Sequence, residues 1–201
     1  MIRFYSIVAG ILLLAAGAVH ADATDRQAFL SAAALLKSDP AAYPAQRSKL
    51  DGYVLAPYLD AVNLQRDLRT LDTGRARRFL DGEGTTQLGS QFRREFLEEL
   101  ARRGDWPGFI AFDDETSATT TLLRCARVQA LLATGQATAA RAELEKVWPT
   151  GQSLPDVCDE PIAAARSRGW LTAGLVWQRL RLALEAGNTG LAGYLLRLLP
   201  E

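Results

Sequence analysis

Six glutamates are the first candidates for chemistry, because a carboxylic acid can donate a proton to a reacting bond, as in glycoside cleavage. They are Glu95, Glu98, Glu99, Glu143, Glu145 and Glu185. A general acid needs an apolar pocket that raises its pKa towards neutrality. All six fall in predicted helices among charged neighbours, and no active-site motif surrounds them. We therefore expect surface residues and assign no catalytic group.

The two cysteines of the chain, Cys125 and Cys158, are candidates for covalent linkage. In an exported protein the oxidising compartment favours a disulfide, and two buried thiols are the alternative. The bond would join two neighbouring helical hairpins and play a structural part. Redox catalysis would need a C-x-x-C pair, which is absent.

Two short segments could bind an ion or a phosphate, but neither has the required pattern. The acidic run at residues 113–115 lacks the Asp-x-Asp-x-Asp-Gly spacing of a calcium loop, so it predicts a solvated loop. Gly82 and Gly84 belong to no phosphate-binding motif, and residues 81–84 are expected to form a turn between hairpins. We therefore predict no metal site and no cofactor.

The first 21 residues have the layout of an export signal. Arg3 gives a positive start, residues 7–18 are apolar, and the small residues Val19 and Ala21 precede the expected cleavage point. An uncleaved anchor is the alternative. Cleavage would leave a mature chain of residues 22–201 without His20, the only histidine, which excludes histidine-based catalysis and most zinc sites.

The charge pattern argues against nucleic acid as a partner. Lys plus Arg and Asp plus Glu are equal at 23 each, and the basic residues are scattered along the chain. Three arginine doublets, at residues 77–78, 93–94 and 102–103, could contact a phosphate or a glycan. A solvated helix face with nearby Glu partners is the interpretation we prefer.

The element that organises the chain is a pair of apolar helices over residues 180–200, broken at Gly187-Asn188. The same order of helix, glycine, polar residue and helix recurs at Gly104-Asp105 and Gly135-Gln136. Ala and Leu dominate, and alternating apolar and polar residues are rare, so we predict an all-α fold of stacked hairpins. The uneven spacing of the breaks fits a loose α-superhelix better than a regular tetratricopeptide array.

The periodicity also gives the predicted helix boundaries. Residues 41–52 and 151–161 are expected to be irregular, and most Trp and Tyr side chains are expected in the core. Helices are predicted at residues 24–37, 58–71, 73–80, 88–103, 119–134, 139–148 and 162–168, with another beginning after Thr172.

Several runs, taken together in this order, resemble the soluble lytic murein transglycosylases. The similarity is to the amino-terminal part of that family's superhelical, U-shaped domain. It is strongest from Leu122 onward and much weaker over residues 24–84. The runs are residues 103–106, 123–125 with 130–135, 150–159 and 171–200.

The resemblance implies a periplasmic protein with a right-handed α-superhelix over residues 22–201, and peptidoglycan or a cell-wall enzyme as partner. In the family a carboxy-terminal lysozyme-like domain carries the catalytic glutamate, which cleaves the glycan and forms a 1,6-anhydro product. No residue up to Glu201 matches that glutamate, so activity on its own is not expected. The alternatives are a tetratricopeptide-like protein–protein adaptor and a truncated remnant. The last hairpin, residues 180–200, is expected to promote self-association.

Overall fold

The computed structural model describes residues 23–114 and 116–200, so the predicted signal peptide lies outside the described residues. Within these ranges the regular structure is helical, without a strand, and the all-α prediction is confirmed. The described α-helices, α1 to α11 in order, are Ala23–Ser38, Tyr43–Arg47, Ala56–Arg66, Thr73–Glu83, Gln87–Arg103, Trp106–Phe112, Thr121–Ala133, Ala137–Val147, Asp159–Ser167, Ala173–Glu185 and Thr189–Leu196.

The chain divides into two compact units, residues 1–59 and residues 60–201. The described part of the first unit has a small core in which the rings of Phe29 and Tyr53 pack 5.7 Å apart. Its buried side chains are Ala32, Leu36, Tyr43, Leu50, Ala56 and Leu59. The predicted single domain over residues 22–201 stays a prediction.

The second unit has an aromatic centre between α5 and α6. Phe92 and Phe96 stack with ring centroids 6.0 Å apart, and Phe112 meets Phe96 edge-on at 5.0 Å. All three side chains are buried, because the apolar positions of α5 recur at helical spacing and face its neighbours. This core explains why residues 88–103 give the clearest amphipathic pattern in the first half of the chain.

The three predicted glycine breaks are present. Gly104, Gly135 and Gly187 have φ values of 69°, 78° and 70°, a left-handed conformation that ends a helix and that glycine adopts without a steric penalty. Asp105 and Asn188 then cap the next helices by accepting from the amides of Gly108 and Leu191. A glycine followed by a polar residue therefore closes one helix and opens another.

Successive helices of the second unit pack on one another. Contacts join α5 to α6, α6 to α7, α7 to α8 and α10 to α11, and α7 also touches α5 and α9. The apolar arc of α7 is wide, and neighbouring helices contact α7 on several sides. The second unit is a stack of helical hairpins.

Helix α4 is longer than the sequence predicted. The expected turn at residues 81–84 is wrong, since α4 continues to Glu83 and Gly82 lies inside it. The amide of Gly84 still donates to the carbonyl of Leu80 at 2.8 Å, so the backbone hydrogen bonding of the helix outweighs the low helix propensity of glycine.

Both segments predicted to be irregular contain helix. Residues 43–47 form α2, where Pro44 lies in the first turn and needs no amide partner. Residues 156–158 form a 3-10 turn, and α9 begins at Asp159, three residues before the predicted start. Acidic side chains in the first turn of α9 favour that earlier start.

Some apolar side chains of the helices face solvent. Val62 and Leu184 are exposed although both lie in helices with buried apolar stripes. In α8, Ala140 is buried, whereas Ala139 and Ala142 are exposed, because the apolar stripe runs through residues 140, 144 and 147. The described helices include none that is both long and apolar enough to cross a membrane.

Candidate binding site

Glu99 is buried, which contradicts the prediction that it lies on the surface. It is 8% exposed and occupies the apolar stripe of α5, three residues after Phe96. Its carboxylate accepts from Arg102 at 2.7 and 2.5 Å and from Arg103 at 2.9 Å. The doublet at residues 102–103 is therefore paired with a nearby glutamate, as we preferred over a phosphate site.

The electrostatics of Glu99 are opposite to those of a general acid. The hydrogen bond from Arg102 is the largest cause that lowers the pKa of Glu99, from an ordinary 4.5 to about 2, and desolvation by burial opposes it. A catalytic acid needs the reverse shift, towards neutrality. Glu99 therefore stays ionised and contributes structure.

Glu143 is the second glutamate that the structure buries, again against the prediction. Lys146 lies 3.1 Å and Arg127 lies 3.8 Å from its carboxylate oxygens. The remaining four candidate glutamates, Glu95, Glu98, Glu145 and Glu185, are partly or fully exposed. Glu95, Glu98 and Glu99 line one cavity together with Arg102, whereas the other three glutamates do not line it. Each buried glutamate faces cations.

The acidic segment at residues 113–115 is not a freely solvated loop, as far as it is described. Asp113 pairs with Arg127 on α7, and Asp114 pairs with Arg93 on α5. Asp114 also accepts from the amide of Thr116 at 2.9 Å. Glu115 lies outside the described residues. Hydrogen bonds and ion pairs thus fasten the segment to the hairpin stack.

The structure contains the predicted disulfide between Cys125 and Cys158, whose Cα atoms are 5.0 Å apart. Both residues are buried with Val147 beside them. The bond joins α7 to the 3-10 turn before α9, so it connects consecutive hairpins of the second unit. It leaves no free thiol among the described residues.

A cavity of about 450 Å³ lies between α9, α10, α11 and the segment that follows α8, beginning at Trp148. We call it the Arg179 cavity. Its lining combines charged, hydroxyl and apolar side chains. The lining residues are Trp148, Ser153, Leu154, Asp159, Ile162, Ala163, Arg166, Arg179, Gly190, Leu191 and Tyr194.

Arg179 is the unusual member of this lining, because it is a cation only 3% exposed. Its guanidinium carbon lies 4.4 Å from the ring centroid of Trp148, and its Nη2 donates to the carbonyl of Gln152 at 3.2 Å. Its Nε is buried without a hydrogen-bond partner, and no described carboxylate forms an ion pair with it. Burial lowers the pKa of Arg179, and the neighbouring Tyr194 opposes that shift.

The loop that forms one wall of the cavity is held closely against α10 and α11. A side chain at Gly151 would place its Cβ 2.2 Å from the carbonyl oxygen of Leu182, so only glycine fits there. The side-chain amide of Asn188 donates to the Gly151 carbonyl at 3.4 Å. The position of this wall is therefore fixed by close packing of the backbone.

The sequence contains a signal for this site in the buried stripe of α10. Arg179 lies three residues after Val176 and four before Ala183, within that stripe. A charged residue in such a stripe is either paired inside the protein or available to a ligand. Glu99 and Glu143 occupy similar positions and are paired, whereas Arg179 is not paired with a described carboxylate.

In the described residues, the tryptophans and the potential metal ligands form no comparable site. Among the tryptophans, Trp148 is buried and donates its indole N–H to the carbonyl of Leu175 at 2.9 Å, while Trp177 is exposed. Within residues 23–114 and 116–200, no group of His, Cys, Asp and Glu could hold a metal ion. The Arg179 cavity combines a buried cation that lacks a full set of hydrogen bonds with an apolar lining, and we take it as the candidate ligand site.

Comparison with known proteins supports the resemblance found in the sequence. The soluble lytic murein transglycosylase of Salmonella typhimurium is 34% identical over 151 residues, which is 75% of this chain and 23% of that protein. A family model described as Cucumovirus coat protein matches residues 121–198, a span too short to show the family.

Solved structures give the same result. An inactive mutant of the lytic transglycosylase Slt from Pseudomonas aeruginosa matches with a TM-score of 0.73 and 36% identity, over 87% of this chain and 28% of that one. The 70 kDa soluble lytic transglycosylase of Escherichia coli matches with a TM-score of 0.77 and 29% identity. The match covers 88% of this chain and 29% of that chain.

The superhelical fold class is thereby confirmed. The chain spans about a quarter of the length of the relatives that it matches. Over that length, the chain is a homologue of the soluble lytic murein transglycosylases.

Proposed function

We propose that this chain is a periplasmic, peptidoglycan-associated module that binds murein without cleaving it. The observation that carries the proposal is its similarity to proteins named as soluble lytic murein transglycosylases, over 75% of the chain. The export signal expected in residues 1–21 and the Arg179 cavity support it. The cavity gives the hairpin stack a place for a small charged group of the polymer.

The described carboxylates support binding without cleavage. Glycoside cleavage needs a carboxyl that is protonated near neutral pH. Glu99 is held ionised by Arg102, and Glu143 lies against Lys146 and Arg127. Glu99 cannot deliver a proton to a glycosidic oxygen at neutral pH while Arg102 remains in place.

Sedimentation with insoluble murein tests the binding proposal. The purified chain should pellet with murein and remain in the supernatant with cellulose, a glycan without peptides. Equal pelleting with both polymers, or with neither, would contradict the proposal. A murein zymogram tests the second part, because clearing of the gel by the chain alone would show catalysis.

A second candidate is a protein-binding adaptor, and exposed apolar side chains favour it. Trp177 and Leu184 are 52% and 58% exposed on α10, seven residues apart and hence on one side of the helix. Leu196 on α11 is also exposed. A contiguous exposed apolar patch marks a contact surface, and these side chains would contribute to one.

The adaptor proposal includes self-association through the last hairpin. Light scattering across a range of concentrations should show a mass that rises with concentration. Replacing Leu184 by Glu should shift the chain towards monomer, and the same change at Val62, also exposed but in α3, serves as the control. A monomer at all concentrations would contradict self-association.

A further inference from the structure

We propose that the Arg179 cavity binds the terminal carboxylate of a short peptide whose last side chain is small and apolar. The inference rests on the proposed function for the source of that peptide, which would be the peptide part of peptidoglycan. Arg179 would receive the carboxylate, and the apolar wall of the cavity would receive the side chain.

Arg179 is the primary contact. A cation withdrawn from water is unfavourable unless an anion or several hydrogen bonds replace the lost hydration. Arg179 is 3% exposed and donates one hydrogen bond to the Gln152 carbonyl, and its Nε has no partner. The ring of Trp148 covers the guanidinium at 4.4 Å but accepts no charge-assisted hydrogen bond. A carboxylate in the cavity would supply the missing anion.

The charge of the lining favours a monoanion. Arg179 and Arg166 contribute two positive charges, and Asp159 contributes one negative charge, which leaves one net positive charge. A carboxylate matches this charge. A phosphate dianion would bring an excess of negative charge towards Asp159.

The remaining lining sets the shape of the ligand. Leu154, Ile162 and Leu191 form an apolar wall, while Ser153 and Tyr194 offer hydroxyl groups. Ligand sites generally combine an apolar wall with a few polar groups that orient the ligand, in a volume of roughly 300–1,000 Å³. The cavity of about 450 Å³ fits the end of a peptide with a small side chain.

Titration with N-acetylalanine tests the inference, and its primary amide is the matched neutral probe. The indole N–H signal of Trp148, observed by NMR, reports binding next to Arg179. The acid should bind at least tenfold more tightly than the amide and more tightly than inorganic phosphate. Equal binding of acid and amide, no binding of the acid, or tighter binding of phosphate would overturn the inference.

Charge variants of the lining provide an independent test. Arg179→Gln should weaken binding of N-acetylalanine at least tenfold, but it also removes the hydrogen bond to Gln152 and can disturb folding. Arg166→Gln and Asp159→Asn alter exposed residues of α9, where a substitution should not disturb folding. They therefore test the proposal even if Arg179→Gln does not fold. The first should weaken and the second should tighten binding, each about threefold or more. Arg181→Gln, an exposed position of α10 outside the lining, should change nothing.

Murein sedimentation of the same variants separates the two proposals. Retention that weakens with Arg166→Gln and strengthens with Asp159→Asn is the expected result. A chain that binds N-acetylalanine but does not pellet with murein would overturn the proposed function and the peptidoglycan source. Retention that is identical in all variants would overturn the assignment of the cavity and leave murein binding intact.

Discussion

The guanidinium of Arg179 lies over the indole ring of Trp148, 4.4 Å from the ring centroid, and both side chains are buried. Trp148 follows α8 and Arg179 belongs to α10, so the pair connects two hairpins of the stack. The indole N–H donates to the carbonyl of Leu175 in the same helix as Arg179. Trp148 therefore contributes both to the packing between the two hairpins and to the lining of the Arg179 cavity.

Replacing Trp148 by Phe should reduce the free energy of unfolding by about 2 kcal/mol, because a buried hydrogen bond and part of the ring contact are lost. Urea denaturation measures the change. Trp177→Phe is the matched control, since Trp177 is half exposed, and its effect should stay within about 0.5 kcal/mol. Equal effects of the two substitutions would contradict the role given to Trp148.

Loss of the disulfide between Cys125 and Cys158 should reduce the free energy of unfolding by about 3–4 kcal/mol, because the unfolded chain gains conformational freedom. Thermal unfolding with and without a reducing agent measures the loss. The double variant with both cysteines changed to Ala should unfold early and should not respond to the reducing agent. An unchanged unfolding temperature after complete reduction would contradict the prediction.

The ion pairs of Glu99 should make the free energy of unfolding depend on pH in the acidic range. The pKa of Glu99 in the folded chain is about 2, below its ordinary 4.5, so its contribution is present above pH 4.5 and is lost as pH falls towards 2. Because the Arg102 side chain is half exposed, solvent screening makes this contribution smaller than the pKa shift alone implies.

Urea denaturation of the Glu99→Gln variant tests this pH dependence. The difference from the unmodified chain should be largest at pH 7 and should shrink below pH 4. Glu98→Gln is the control, since Glu98 is exposed one residue away in the same helix. A difference that is constant between pH 7 and pH 2.5 would show that the carboxylate charge is not responsible.

Two glycines should respond in opposite directions to substitution by Ala. Gly82 lies inside α4, and a methyl group added there would meet open space, so Gly82→Ala should stabilise the chain by about 0.5–1 kcal/mol. Gly104 has φ of 69°, so Gly104→Ala should destabilise it by about 1 kcal/mol. The thermal unfolding temperatures of the two variants, compared with the unmodified chain, measure both changes. A loss of stability on Gly82→Ala would support the turn that the sequence predicted there.

The sequence by itself determined the local features of this protein. Apolar residues at helical spacing defined the helices, and a glycine followed by a polar residue marked the ends at Gly104, Gly135 and Gly187. These features depend on backbone conformation and on neighbours within a few residues. The family resemblance was also visible in the sequence, because it rests on the order of residues.

Only the tertiary structure decided how deeply the charged residues inside an apolar stripe are buried and which groups surround Arg179. Glu99 and Glu143 have cations three or four residues along their own helices, whereas Arg179 has no acidic residue at those distances in α10. Glu99 finds its cations on its own helix, whereas the nearest groups around Arg179 come from other helices and a loop. Burial and pairing of a charge depend on contacts between distant segments, and the Arg179 cavity exists only once those segments are packed.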